Sequence, residues 1–142
     1  ILCWKVRNFT MIKRYFTLNE AQDLIPWLTK IFEFITPIRE RVRDLYSEIK
    51  HLEESMRSNG GNSHSNNIYE RRRELNKESA DIEQHIQKII NRGMEVKGLE
   101  EGLVDFPHMR NGNEVYLCWK EGESEIQFWH ETDTGFTGRQ LL

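Results

Sequence analysis

Between Leu28 and Met56 the apolar residues fall at 28, 31, 35, 38, 42, 45, 49, 52 and 56, alternating steps of three and four. That is an a/d heptad seam, and it predicts a long helix with one apolar stripe. Ahead of it, Thr17-Leu18-Asn19-Glu20 has the form of a capping box, in which the Thr hydroxyl and the Glu carboxylate satisfy each other's backbone amides. Pro26 and Pro37 interrupt the amide ladder, so the pattern predicts a short helix to about Ile25 and a long one kinked near Pro37. The stretch Ser58 to Asn66 is polar and glycine-containing, with nothing to bury. Asn67 then offers a second cap with Glu70 three residues on, followed by Ile68, Leu75, Ile82 and Ile89 at intervals of seven, with Ile86 between them. Gly93 suits the residue just past a helix end. Two long helices joined by a polar loop are most simply an antiparallel, coiled-coil-like hairpin.

After residue 100 the period changes from helical to alternating. Leu103 to His108, Glu114 to Lys120 and Glu125 to His130 read as three strands, the first two joined by Asn111-Gly112, a type I′ turn signal. With both turns tight, the register places Asp105, Cys118 and Gln127 in one row of a face and Pro107, Tyr116 and Trp129 in the next. The opposite face then carries Val104, Trp119 and Ile126, next Phe106, Leu117 and Phe128, and last His108, Val115 and His130. The second of these faces is apolar enough to pack on helices. The first mixes polar and aromatic groups, as a ligand surface does.

Composition agrees with two kinds of structure. Residues 38–92 hold only Tyr46 and Tyr69 as aromatics, whereas 93–142 holds six together with ten acidic and four basic groups. At 37% hydrophobic and 30% charged, the chain is leaner than a typical globular domain and suits long solvated helices. A net charge of -3 argues against nucleic-acid and anionic-membrane binding, and Arg71-Arg72-Arg73 is interleaved with Glu70 and Glu74. Two cysteines, Cys3 and Cys118, make no disulfide framework, so a cytoplasmic location is expected. Residues 1–10 lack a signal-peptide core, and Met11 opens a segment that reads as a natural start. They are therefore read as an upstream extension, ahead of a hairpin over 14–95 and a meander with its tail over 96–142.

The candidate chemistry lies on the mixed face. Asp105 stands inside an apolar strand and needs a partner, and Arg139, at the end of Gly135-Phe136-Thr137-Gly138-Arg139, is the expected one. The same carboxylate is alternatively a ligand-binding or proton-transferring group. Cys118 beside it is a small buried thiol or, in the sharper reading, a ligand. Tyr116, Gln127 and Trp129 complete the candidate ligand set. His108 and His130 are the weak metal candidates, two strands and nearly ~10 Å apart, which is far for one ion. No metalloprotease, zinc-ribbon, nucleophile-elbow or phosphate-loop motif occurs, and no cofactor is indicated.

The order Arg14-Tyr15-Phe16-Thr17-Leu18, Pro26-Trp27-Leu28, Gly102-Leu103-Val104-Asp105-Phe106-Pro107, Leu117-Cys118-Trp119, Gly122-Glu123, Trp129-His130 and Gly135-Phe136-x-Gly138-Arg139 resembles one family of small bacterial proteins. It is a domain of unknown function, so the resemblance implies no activity and no site residues. The heptads also resemble those of DivIVA-like cell-division coiled coils, which implies a scaffold as one alternative. This chain has no Phe-Arg-Gly-Tyr-Asp stretch of the kind those proteins carry.

The expected fold is therefore α+β, a kinked helical hairpin with a three-stranded antiparallel meander at its base. The first seam is richer than the second helix can cover, which predicts a homodimer through the helices. The leading functional expectation is a non-enzymatic interaction module. The alternative is a small-molecule- or metal-binding protein or enzyme using the face around Asp105, Cys118 and Trp129.

Overall fold

A computed structural model describes residues 13–59 and 65–142, so the extension read into 1–10 and residues 60–64 of the polar loop lie outside the described residues. The first helix, α1 (Leu18–Asp23), begins as its cap dictates. The Glu20 amide donates to Thr17 Oγ1 at 3.1 Å, and the Thr17 amide donates to the Glu20 carboxylate at 2.8 Å. Leu24 ends α1 by bonding back to Ala21, and α2 (Ile25–Asn59) starts at once, with Pro26 in its first turn where a missing amide costs little. Helix α2 runs through Pro37 without interruption. Helix α3 (Ser65–Asn91) starts two residues before the expected Asn67 cap and ends short of Gly93, whose φ of +93° suits a residue without a Cβ.

The two long helices lie against each other. Ion pairs Arg41–Glu74, Glu48–Arg71 and Glu53–Arg72 cross between them. All three are at least partly exposed and contribute little each. The apolar stripe holds the pair together. Leu28, Ile31, Phe32 and Ile35 of α2 join Ile82, Ile86 and Ile89 of α3 in the main core, and Leu45, Ile49 and Leu75 form a second cluster farther along.

The sheet has five antiparallel strands in chain order, not three: β1 (Glu95–Gly98), β2 (Leu103–Arg110), β3 (Asn113–Lys120), β4 (Phe128–Glu131) and β5 (Gln140–Leu141). The two unexpected strands are the edges, four and two residues long, too short to alternate visibly. Between β2 and β3, Asn111 and Gly112 both take positive φ and the register is the expected one, with Asp105 opposite Cys118.

The next hairpin departs from expectation by one residue. Cys118 faces Phe128, Leu117 faces Trp129 and Tyr116 faces His130. The cause is the connection over 121–127, which is not a tight turn. The Glu123 carbonyl takes the Trp119 indole N–H, its carboxylate takes the Lys120 amide, and the Ile126 amide donates to Gln22 of α1 at 2.8 Å. Residues 125–127 are thereby held to α1 and to the turn, and pairing resumes only at Phe128. Because side chains alternate, the single-residue shift exchanges the two faces of β4.

Val104, Phe106, Leu117 and Trp119 make the inner face and pack on the helices, with Trp119 against Phe32 at 5.6 Å and Phe106 edge-on to Phe16 at 5.3 Å. Trp129 turns to this side, half-buried against the core, and not to the side of Asp105. The outer face carries Asp105, Cys118, Tyr116, Phe128 and His130, on the side away from the core that α2 and α3 share with the sheet.

Candidate functional site

Although the helices lie on the other side of the sheet, Asp105 is 1% exposed, Cys118 1% and His130 2%. Their cover is the segment after β4. Chain 132–139 folds back over the sheet and β5 pins it by pairing Phe128 with Leu141 and Trp129 with Gln140. Gly135 takes φ +66° and ψ -159°, a combination open in practice only to glycine, and it starts a 3₁₀ turn, Phe136–Gly138. Arg139 fastens the end. Its guanidinium lies 2.8 Å from both carboxylate oxygens of Glu123, donates to the Cys118 carbonyl at 3.2 Å, and rests on the rings of Phe128 and Phe136.

Arg139 is therefore not the partner of Asp105. Glu123, freed by the long connection, takes the guanidinium, and the register shift delivers His130 to the carboxylate instead. His130 Nε2 lies 3.0 Å from Asp105 Oδ2, reaching across the middle strand between two residues on β2 and β4. Its other nitrogen, Nδ1, donates to the backbone carbonyl of Glu131 at 2.8 Å. A carbonyl oxygen only accepts, so Nδ1 carries the hydrogen and the Nε2···Oδ2 contact is held by one shared proton. The Tyr116 ring leans on His130 at 5.5 Å, and its hydroxyl donates to Glu95 at 2.9 Å.

The electrostatics follow from burial. Burial pushes the Asp105 carboxyl above its ordinary range, against the opposing pull of His130 and smaller contributions from Cys118 and Lys97. Burial, and then the negative charge of Asp105, push the Cys118 thiol up to about 12. Tyr116 is raised by burial and by its bond to Glu95. At neutral pH, with nothing bound, Cys118 is a thiol and no nucleophile.

Two features are those of a site built to hold something. Asp105 Oδ1 is buried with no hydrogen-bond partner. Leaving a carboxylate oxygen unpaired costs at least ~1–3 kcal/mol. Against it lies a cavity of about 140 Å³ lined by Asp105, Cys118 and His130 and walled by Lys97, Leu103, Tyr116, Thr132, Gly135 and Phe136. One ligand atom each from Asp105, Cys118 and His130 lie within 4.8 Å of one another, and oxygen, sulfur and imidazole nitrogen are donors that transition metals share.

Of the residues read from the sequence, Asp105, Tyr116, Cys118 and the weak metal candidate His130 meet here. Gln127 does not: it is exposed in the connection and bonds to Glu125. Trp129 is on the inner side, and Arg139 supports the cover without reaching Asp105. The paired-histidine idea fails as well. His108 stays on the inner face, donating from Nδ1 to the Phe16 carbonyl at 2.7 Å, while His130 is outside. Lys97 and Phe136 are the members that sequence reading missed, for want of the edge strand β1 and the path of the tail, while His130 was named only as a weak metal candidate paired with His108.

The fold is a helix pair backing a small antiparallel sheet whose far face closes over a polar site. The family described as "Uncharacterized conserved protein (DUF2203)" matches residues 14–142, and the chain belongs to it. No curated protein and no solved structure matches.

Proposed function

We propose that this is a binding protein for a small non-protein ligand, seated on the outer face of the sheet between Asp105, Cys118 and His130. The observation that carries the reading is the unpartnered Oδ1 of Asp105 beside a cavity on the side of the sheet away from the helices. A sheet that served only as support for the helices has no use for an unpaired buried carboxylate there, since an apolar residue of similar size is as stable or more so. In this reading the long helices and the inner sheet face supply rigidity, and residues 132–139 supply the cover.

The test is native mass spectrometry of the full chain isolated without denaturation from its own host. The expected result is a mass above 17.0 kDa, retained by the wild type and absent from Asp105→Asn. The bare chain mass for both proteins would overturn the reading.

A second reading concerns assembly and rests on a different observation. Phe34, Tyr46 and Tyr69 are 47%, 49% and 66% exposed along the two long helices. Aromatic groups on an otherwise charged surface favour a helical hairpin that pairs with a second copy, giving a homodimer with four helices together. A cell-division scaffold would be a special case of this reading.

A further inference from the structure

The binding reading leaves the ligand open, and the donor set narrows it. We propose that Asp105, Cys118 and His130 form a three-donor site for a single transition-metal dication of the zinc class; this deepens the binding reading above and rests on it.

Four observations bear on the point. First, the three donors come from adjacent strands β2, β3 and β4 of one sheet, so their positions are fixed by hydrogen-bonded backbone and not by loops. Second, one ligand atom of each lies within 4.8 Å of the others. A tetrahedral zinc ion with bonds of about 2.0–2.3 Å needs donor atoms roughly 3.3–3.7 Å apart. Rotamer adjustment of about an ångström closes the difference.

Third, His130 is already oriented as a metal ligand. Its Nδ1–H is anchored on the Glu131 carbonyl, which fixes the ring and leaves Nε2 facing the other two donors. Metal-binding histidines characteristically hold their second nitrogen in this way. Fourth, Asp105 Oδ1 is buried without a partner, so the carboxylate has a lone pair to give without breaking a bond.

Charge and softness select the ion. Binding releases two protons to solvent, one from the Cys118 thiol and the one shared by His130 Nε2 and Asp105, and the resulting carboxylate and thiolate neutralise a dication while the neutral imidazole completes the set. Calcium and magnesium prefer oxygen donors throughout and are disfavoured by the sulfur and nitrogen. Three protein donors leave one position of a tetrahedron, and it falls to the cavity side, where Lys97, Thr132 and Phe136 form the walls. A site with an open position is of the catalytic kind, and water or a small ligand would occupy it. Among the described residues this is the group of His, Cys, Asp and Glu that meets the distance requirement for an ion.

The experiment uses the full chain, stripped with a chelator and titrated with cobalt(II) alone. The expected result is a one-to-one endpoint, with a thiolate-to-cobalt charge-transfer band in the near ultraviolet and tetrahedral ligand-field bands in the visible. Cys118→Ser should abolish the charge-transfer band, and Asp105→Asn and His130→Gln should each weaken binding at least tenfold. Cys3→Ser and His108→Gln should change neither. X-ray absorption of the zinc-loaded wild type keeps the test independent of variants that fold poorly, and one sulfur per zinc is expected. The absence of any sulfur-to-metal band in the wild type, or a band that survives Cys118→Ser, would overturn the proposal. An organic mass retained in the native spectrum with no cobalt band overturns the metal and leaves the binding site standing. A bare chain with no cobalt band overturns both.

Discussion

At the scale of single residues, Cys118 is the sharpest case. It is 1% exposed and its thiol is pushed up to about 12 by burial and by Asp105, so the metal-free fold should protect it from alkylation. Iodoacetamide at pH 8, followed by peptide mapping that separates Cys118 from Cys3, should find Cys118 unmodified until the chain is unfolded. Modification in the native protein at the rate of a free thiol would contradict the described burial. A second residue-scale prediction concerns Glu20, whose carboxyl is held below its ordinary range by the Thr17 amide. A depressed carboxyl contributes stability that is present above its unfolded-state pKa and lost as pH falls through the folded one. Glu20→Gln should therefore lower stability near neutral pH and flatten its fall into acid, as read by urea denaturation across pH. An unchanged acid limb would mean the capping contact is not made. Thr17→Ala should cost about 1 kcal/mol at any pH, the usual size of a lost cap.

At the scale of elements, what was legible in the sequence is what local chemistry decides. The capping box over Thr17 to Glu20, the seam of α2 and the Asn111-Gly112 turn each depend on neighbours within a few residues, and each is found. The register of β4 depends on Gln22 capturing the Ile126 amide from 104 residues away, and nothing near Ile126 announces it. That contact, together with the Glu123 bonds to Trp119 and Lys120, goes with the shifted register that sets His130 beside Asp105 and Trp129 on the inner face. The same holds for Arg139. Its need for a carboxylate was legible, but which carboxylate depended on the path of 121–127, and Glu123 proved nearer than Asp105. Asp105 and Cys118 were placed opposite each other correctly because the β2–β3 register rests on a tight local turn. The cover over 132–139 gives the element-scale prediction. Arg139 is 11% exposed at the side chain and Glu123 26%, between the cases of a surface pair and a buried one. Arg139→Ala should therefore destabilise by about 2 kcal/mol, between roughly 0–1 for exposed pairs and about 3–5 for buried ones. Amide exchange of 132–141 should quicken well before the rest of the sheet. Uniform exchange across the sheet in that variant would show that the segment is no separate cover.

At the scale of the whole molecule, the two sheet faces divide the work. The inner face is spent on packing with α2 and α3, and the outer face, freed of that duty, is closed by the chain's own tail. No helix among the described residues is long and apolar enough to cross a membrane. If the two long helices assemble as proposed, light scattering at micromolar concentration should give twice 17.0 kDa, and Tyr46→Glu should halve it. A wild-type mass of 17.0 kDa would refute the dimer without touching the site, because the three donors all belong to one chain. The central claim, that the outer face is a metal-binding site, is tested most directly by anomalous diffraction at the zinc edge on crystals of the wild-type chain grown with zinc. The account predicts one peak within bonding distance, about 2.0–2.3 Å, of Cys118 Sγ, His130 Nε2 and an oxygen of Asp105. A cavity without a peak, with zinc found only on exposed carboxylates and histidines, would contradict it.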